Sequence, residues 1–434
     1  MDTSTASNTS THASGYTRRD GVLMCDGVAL TEIADRVGTP CYVYSASLIR
    51  ERYAELSSAL AHLPVHIHYS VKANSSLAIL ALLRGLGAGV DIVSGGELHR
   101  AFRAGFEGAD IVFSGVGKTR SELERALRAE VSSVNVESEG ELNVLQEIAG
   151  DLGVVARVAL RVNPDVAVET PHPYTRTGEH GMKFGIPHDR VLHVARAAQS
   201  MPNISLVGLA AHVGSQISTS EPYAMAARVL LDLKHAVESE RLAVISTVDV
   251  GGGLAVTYDS EATPDLVAYA AALAPIADEA GTSIVVEPGR FLVAEAGTLL
   301  ARVLYRKLSG GKEIVITDAG MNDLIRPSLY ESHHSIDVVG SDAPPTMRAN
   351  IVGPVCESGD FFARDRSIAD VQPGDLLALR TVGAYGFSMA SNYNSRARPA
   401  EVLVDGSRFA VITEREGDAD LTKRETLTPN WITI

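Results

Sequence analysis

From residue 45 onward the chain alternates between two hydrophobic rhythms. Runs of period two, or of continuous apolar character, predict strands near 65–71, 88–93, 110–113, 133–136, 155–162, 205–212, 246–250 and 283–287. Between them, apolar residues recur at helical spacing over 76–86, 97–104, 121–129, 138–148, 190–198, 223–237 and 266–280. A further helix, capped by Ser45 or Ser47, carries Ile49, Tyr53, Leu56, Leu60 and Leu63 ahead of the first strand. Eight strands with seven helices between them and an eighth ahead of the first, in roughly 240 residues, have the count and length of a (β/α)8 barrel over 45–295. The chemistry of such a barrel sits at the C-terminal ends of its strands.

Beyond about residue 296 the texture becomes β-rich. Alternating runs at 299–308, 313–317, 346–352, 375–379, 401–404 and 409–413, broken by Gly, Pro and Asp, predict an antiparallel sheet, barrel or sandwich over 296–434. Short strands at 21–30 and 41–44 are expected to pair with it, which assigns 19–44 to the same domain. Residues 1–18, rich in Ser and Thr, read as a flexible tail.

Composition narrows the function classes. With 434 residues, 45% hydrophobic and 21% charged, the chain is an ordinary soluble protein large enough for two cores. A net charge of −15 argues against nucleic acid or an anionic membrane as partner. Cys25, Cys41 and Cys356 are too few and too scattered for a disulfide framework. With no apolar run of membrane-spanning length and no secretory signal, cytoplasmic residence is expected.

The most informative residue is Lys72. The run Val65-His66-Ile67-His68-Tyr69-Ser70-Val71 alternates, so Lys72 shares a face with His66, His68 and Ser70. A strand-end lysine is ordinarily just solvated, but this one has company. Gly251-Gly252-Gly253 follows the seventh strand and Glu287-Pro288-Gly289-Arg290 the eighth, where barrels bind phosphate through backbone N–H groups. A desolvated amine beside a phosphate site points to Schiff-base chemistry on pyridoxal phosphate. Glu287 is the acid that could keep a pyridine nitrogen protonated, and His212 a flat ring able to stack on the cofactor. Ser114-Gly115-Val116-Gly117-Lys118-Thr119 ends like a nucleotide P-loop but lacks its glycine spacing, which rejects ATP. His66 and His68 lack a carboxylate or cysteine partner and read as structural, and His333-His334 as a surface pair. No metal site is expected.

Taken together, Tyr69-Ser70-Val71-Lys72-Ala73-Asn74, His212-Val213-Gly214-Ser215-Gln216, Gly251-Gly252-Gly253, Glu287-Pro288-Gly289-Arg290, Cys356-Glu357-Ser358-Gly359-Asp360 and Gly383-Ala384-Tyr385 resemble the fold-type III pyridoxal-phosphate decarboxylases, specifically the diaminopimelate decarboxylase family. The resemblance runs from about residue 25 to 430. It implies removal of carbon dioxide from meso-2,6-diaminopimelate to give L-lysine, by a homodimer with shared active sites. It also implies roles. Lys72 carries the Schiff base, with Asp91 among the cofactor-binding residues; His212 stacks on the ring, and Glu287 pairs with its nitrogen. Ser215, Gly252, Gly253 and the Gly289-Arg290 backbone hold the phosphate. Arg290, Arg326 and Tyr330 bind the distal carboxylate, and Tyr385 touches cofactor and substrate. Cys356, as proton donor, and Glu357, on the distal amine, reach in from the neighbouring subunit. The stretch 170–184, with Arg176, Thr177, Gly178 and Lys183, is similar to the family's active-site loop. Ser70 stands where the family more often has Ala.

Two other functions compete. A sibling decarboxylase of ornithine, arginine or D-lysine would more often place aspartate after the cysteine, where this chain has Glu357, and would not need Arg326. A non-catalytic pyridoxal-phosphate-binding protein would need neither Cys356 nor the two arginines.

Overall fold

The structure, a computed structural model, describes residues 15–166, 172, 178 and 181–434. Its centre is a parallel barrel of strands β1 (Val65–Ser70), β2 (Gly89–Ile92), β3 (Ile111–Phe113), β4 (Ser133–Val136), β5 (Ala156–Asn163), β6 (Ile204–Ala211), β7 (Thr247–Asp249) and β8 (Ser283–Val286). β8 pairs with β1 through Ile284↔Val65 and β4 with β5 through Val134↔Val158, so the sheet closes on itself.

Alternation along each strand decides what each face meets. On β1, Ile67 and Tyr69 join the hydrophobic core, while His66 and His68 line a cavity inside the barrel. The barrel lumen is correspondingly polar, with Ser70, Asp91, Asn135 and Asp249 all buried. Hydroxyls start the helices outside it. Ser94 accepts from Glu97 N at 3.2 Å, Thr119 from Glu122 N at 3.3 Å and Ser138 from Glu141 N at 3.2 Å. Each such cap contributes about 1 kcal/mol. Of the two candidate caps for Ala46–Leu60, Ser45 is the one used, accepting from Leu48 N at 3.1 Å.

The second sheet is mixed rather than purely antiparallel. Lys312–Thr317 runs parallel to Met347–Val352, and Cys41–Ser45 parallel to Ala400–Asp405. A parallel neighbour cannot be reached by a tight turn and needs a long connection. The one between Thr317 and Met347 carries Arg326 and Tyr330 to the barrel mouth. Phe361–Ile368, not foreseen, also joins this sheet, its alternation hidden by Arg364-Asp365-Arg366.

The N-terminal expectation needs two corrections. Tyr16–Arg19, Val22–Cys25 and Val28–Ala29 form a three-stranded sheet of their own, fastened to the β-rich part by Leu23 N to Val339 O at 2.8 Å and Gly27 N to Gly406 O at 2.9 Å. Residues 16–18 therefore belong to the fold and not to a tail. Tyr16 is buried, with its hydroxyl 3.0 Å from Val43 O and 2.9 Å from Ala296 O. The helix Leu30–Val37 was also unforeseen; its N-cap is Ala29, which makes no side-chain capping bond, so the usual start signal is missing.

Barrel and second sheet meet at Gly297 and Gly383. Val382 N donates to Gly297 O at 3.0 Å and Gly383 N to Ala294 O at 2.9 Å, while Asn74, just past Lys72, donates to Gly383 O at 3.1 Å. A Cβ on Gly383 would lie 1.9 Å from Val293 O, a backbone atom that cannot step aside. Gly383→Ala is therefore expected to destabilise the protein by about 3 kcal/mol, the upper range for overpacking. Thermal and denaturant unfolding of the variant measure this.

Candidate active site

A cavity of about 470 Å³ opens at the C-terminal end of the barrel. Successive strand ends supply its wall: Lys72 after β1, Ser114 after β3, Asn135 on β4, Arg161 on β5, His212 and Ser215 after β6, Asp249 on β7, and Glu287 and Arg290 after β8. Arg326, Tyr330 and Tyr385 close it from outside the barrel.

Lys72 sits in a single 3₁₀ turn, Val71–Ala73, its amine 3.5 Å from Asp91 Oδ2. Its side chain is 37% exposed, and the space it faces is the cavity. Burial alone would lower its pKa, but Asp91, Tyr385 and Glu287 outweigh burial and hold the amine charged above its ordinary value. Desolvation by itself therefore does not activate this lysine, contrary to the simplest reading of the sequence. Asp91 is in turn oriented by Ser70 Oγ, which donates to it at 3.0 Å.

Below the cavity lies an acid pair. Asp249 and Glu287 are buried close together, near enough that each shifts the other's ionisation. Asp249 also accepts from Gly251 N at 2.8 Å and Asn135 Nδ2 at 3.3 Å. Burial, then the charges of Asp249 and Asp91, push Glu287 well above the carboxylate range, and burial raises Asp249 to about 6.

The glycine turns form a cradle with no room for side chains. A Cβ on Gly252 would fall 2.0 Å from Glu287 O, and one on Gly253, at φ +108, 2.4 Å from Gly214 O. Gly252 N donates to His212 Nδ1 at 3.1 Å, so that nitrogen carries no proton. Burial, with Lys72 and Arg161 nearby, keeps the imidazole neutral. Arg290 Nη2 donates to Ser215 Oγ at 3.1 Å.

On the outer side, two guanidiniums share one wall. Arg290 donates to Tyr258 Oη at 2.5 Å and Arg326 to Ser332 Oγ at 3.2 Å, while the Nε of each lacks a partner. The Tyr258 ring stands 5.6 Å from the Arg290 guanidinium and 5.4 Å from that of Arg326, and Tyr385 lies 5.0 Å and 6.0 Å from them. Two cations held by aromatic faces form a ready receptor for an anion. Tyr258 escaped the sequence reading because only the fold brings it to Arg326. Asn135 escaped likewise, while Arg161, which the sequence places at the end of the fifth strand without a role, lines the cavity bound to Glu137 at 2.6 Å.

Other candidates are placed differently. Cys356 is exposed, its N–H bonded to Asn394 Oδ1 at 3.0 Å, and Glu357 accepts from the Tyr393 hydroxyl; neither lines the cavity of this chain. Lys118 is closed off by Gly115 O, Asn135 O and Glu141 at 2.7–2.8 Å, which makes it structural. Lys183 is exposed over Phe184. Arg176 and Thr177 lie outside the described residues. The surface reading of His333-His334 fails: His334 is fully buried and bonds Arg380 O at 2.9 Å. Among the described residues, no group of three or more His, Cys, Asp or Glu could hold a metal, and no helix is long and apolar enough to cross a membrane.

Glu97 marks how the acidic site costs stability. Burial pushes its carboxyl from 4.5 up to about 7 despite the 2.7 Å bond from Val93 N. A raised acid contributes stability below its unfolded pKa and loses it as pH rises through its folded one. Glu97→Gln should match the parent near pH 4 and exceed it at pH 8 by about 2 kcal/mol, allowing for partial exposure. Melting curves of the cofactor-free protein across that range check it.

Comparison with known proteins agrees with this geometry. Residues 46–294 match the family model described as "Pyridoxal-dependent decarboxylase, pyridoxal binding domain". The chain is 46% identical to diaminopimelate decarboxylase of Pseudomonas aeruginosa over 414 residues, 95% of this chain and 99% of that one. Identity to the Neisseria meningitidis serogroup A enzyme is 45% over 394 residues, 91% and 96% of the two chains. The crystal structure of diaminopimelate decarboxylase from Helicobacter pylori complexed with L-lysine superposes with a TM-score of 0.87 at 39% identity, covering 91% of this chain and 98% of that one. A barrel with a lysine, an acid pair and a glycine cradle at its mouth, and a match that spans nearly the whole chain, place this protein in the diaminopimelate decarboxylase family of pyridoxal-dependent enzymes.

Proposed function

We propose that this chain decarboxylates meso-2,6-diaminopimelate to L-lysine and carbon dioxide with pyridoxal 5'-phosphate. The observation that carries the reading is the pair of guanidiniums, Arg290 and Arg326, in the cavity that also holds Lys72 and the acid pair. An amino acid with a second carboxylate at its far end suits a cavity lined by one amine and these two cations.

The residues fit the cofactor on structural grounds. The cradle at Gly252 and Gly253 admits backbone contact only, and Asp91, Asp249 and Glu287 outnumber the one lysine among them, leaving room for a cationic ring nitrogen. Bound there, pyridoxal phosphate supplies an aldehyde for amine capture and an electron-poor ring that takes up the electron pair released as carbon dioxide departs. Lys72 ties the cofactor to the chain, and Asp91 orients that amine. Glu287 faces the ring nitrogen, and the neutral His212 stacks on the ring. Ser215, Gly252, Gly253 and Gly289-Arg290 hold the phosphate.

Arg290, Arg326 and Tyr330 hold the distal carboxylate, with Tyr385 against cofactor and substrate. Losing a charge-assisted bidentate contact costs about 2–4 kcal/mol. Arg326→Ala should therefore lower carbon dioxide release from diaminopimelate by about two to three orders of magnitude. The parent should release carbon dioxide from diaminopimelate and not from L-lysine, D-lysine, L-ornithine or L-arginine; preference for one of these, or unchanged kinetics in the variant, refutes the assignment.

Cys356 and Glu357 act from across a homodimer in this reading. Their distance from the cavity of their own chain supports it, as does their place in a turn between Met347–Val352 and Phe361–Ile368 of the second sheet. Cys356 of the partner subunit returns a proton to the α-carbon, and Glu357 of the partner subunit meets the distal amine. Mixing inactive Lys72→Ala with inactive Cys356→Ala under subunit exchange leaves one intact site in each heterodimer. Activity should return to about one quarter of the parent's at equal mixing. A mixture that exchanges and stays inactive rules out the shared site.

A further inference from the structure

Two cavities are stacked within the barrel. Beneath the active site lies a second space of about 190 Å³, lined by His66, His68, Arg157, Thr247 and Ser283. Asn135 and Asp249 line both, and so form the floor between them. Asp249 is 4% exposed and accepts from Gly251 N and Asn135 Nδ2, with the Glu287 carboxyl close beside it. Asn135 Nδ2 also donates to Ser114 Oγ at 3.1 Å, and Ser114 Oγ lies 3.5 Å from Glu287 Oε1. Asp249, Asn135, Ser114 and Glu287 are thus linked in one chain of polar contacts.

Two buried carboxyl groups this close do not both ionise readily without a cation beside them. The cation that acts on Glu287 is Lys72, which already pairs with Asp91 at 3.5 Å. The other titratable or charged groups turned toward this floor are Asp91, Tyr269 and Arg161 and, from the lower cavity, His66, His68 and Arg157; Arg161 is held by Glu137 at 2.6 Å and Arg157 by Ser132 O at 3.0 Å. Burial holds His68 neutral with a pKa down to about 4, and Tyr269 is uncharged, so neither neutralises an acid. When a protonated ring nitrogen faces Glu287, the pair no longer needs its own proton, and Asp249 becomes a second negative charge directly behind the first.

We propose that Asp249 is a positioning residue for the cofactor's ring nitrogen, acting through Glu287: its charge, fixed by Gly251 and Asn135, retains the proton on that nitrogen. This rests on the reading that Glu287 faces the ring. The role differs from that of an anchor for the Gly251 turn, which needs only an acceptor oxygen. Asparagine keeps an acceptor and removes the charge, so it separates the two.

The test uses holoenzyme loaded with pyridoxal phosphate labelled with ¹⁵N in the ring, read by the ¹⁵N chemical shift over a pH series. In Asp249→Asn the pyridinium-to-pyridine midpoint should fall by about one unit, a tenfold change in the protonated-to-neutral ratio. Cofactor should also dissociate faster on dilution. The swap Asn135→Asp/Asp249→Asn, which returns one carboxylate to the same floor, should restore the midpoint, and circular dichroism verifies folding of each variant. Glu287→Gln is the control for the underlying reading and should lower the midpoint further. If Glu287→Gln shifts the signal and both floor variants keep the parent midpoint, Asp249 is an anchor only and the proposal is overturned. If Glu287→Gln also leaves it unmoved, Glu287 does not face the ring, and the underlying reading falls first.

Discussion

Three carboxyl groups, Asp91, Asp249 and Glu287, are buried around one ammonium, Lys72, and the rest of the structure is arranged to tolerate this. Burying an unpaired charge costs several kcal/mol, so acids in such a place must be paired, hydrogen-bonded or protonated. All three devices are present. Asp91 pairs with Lys72 and accepts from Ser70, Asp249 accepts from a backbone N–H and an amide, and Glu287 is pushed toward its neutral form. The closed parallel barrel makes this possible, because strand alternation can send polar side chains inward while the opposite face, Ile67 and Tyr69 on β1, packs outside.

The same constraint explains the second sheet. A barrel mouth alone offers strand ends and short loops, and its eighth strand is followed by only the four-residue helix Arg290–Val293. The outer wall is therefore supplied from elsewhere: Arg326 and Tyr330 by the long connection between parallel strands, and Tyr385 by the turn after Leu376–Arg380. Tyr385 has φ +58, and its N–H donates to Ala73 O at 2.8 Å, which binds this turn to the backbone beside Lys72. The glycines at 297 and 383 let the two parts approach closely enough for that contact. Arg290 and Arg326 are held by Tyr258, Ser215 and Ser332 and form no ion pair with the floor acids, so these two guanidiniums remain available to an anion.

Much of this was legible in the sequence, for reasons that differ by element. The barrel strands were found because their period-two and continuous apolar runs are regular, and the helices because apolar residues recur along them at helical spacing. Where local signals were weak, the reading failed. Leu30–Val37 begins without a capping side chain, and Phe361–Ile368 carries three consecutive charged residues that its neighbours in the mixed sheet override. His333-His334 read as surface because two histidines in a polar stretch carry no burial signal of their own. A backbone carbonyl from Arg380, 46 positions away, makes His334 a core residue.

By itself the sequence showed which reactive residue types stand at the strand ends and in what order, because side-chain type and hydrophobic period are local properties. Lys72, His212, Glu287 and the glycine turns could be named without coordinates. Tertiary structure alone decided how those groups act on one another. Coulombic and hydrogen-bond terms depend on through-space distance and burial, which no local pattern encodes. Hence the charged state of Lys72, the raised pKa values of Asp249 and Glu287, and the place of Tyr258 beside two arginines came only from closure of the barrel and the docking of the second sheet upon it.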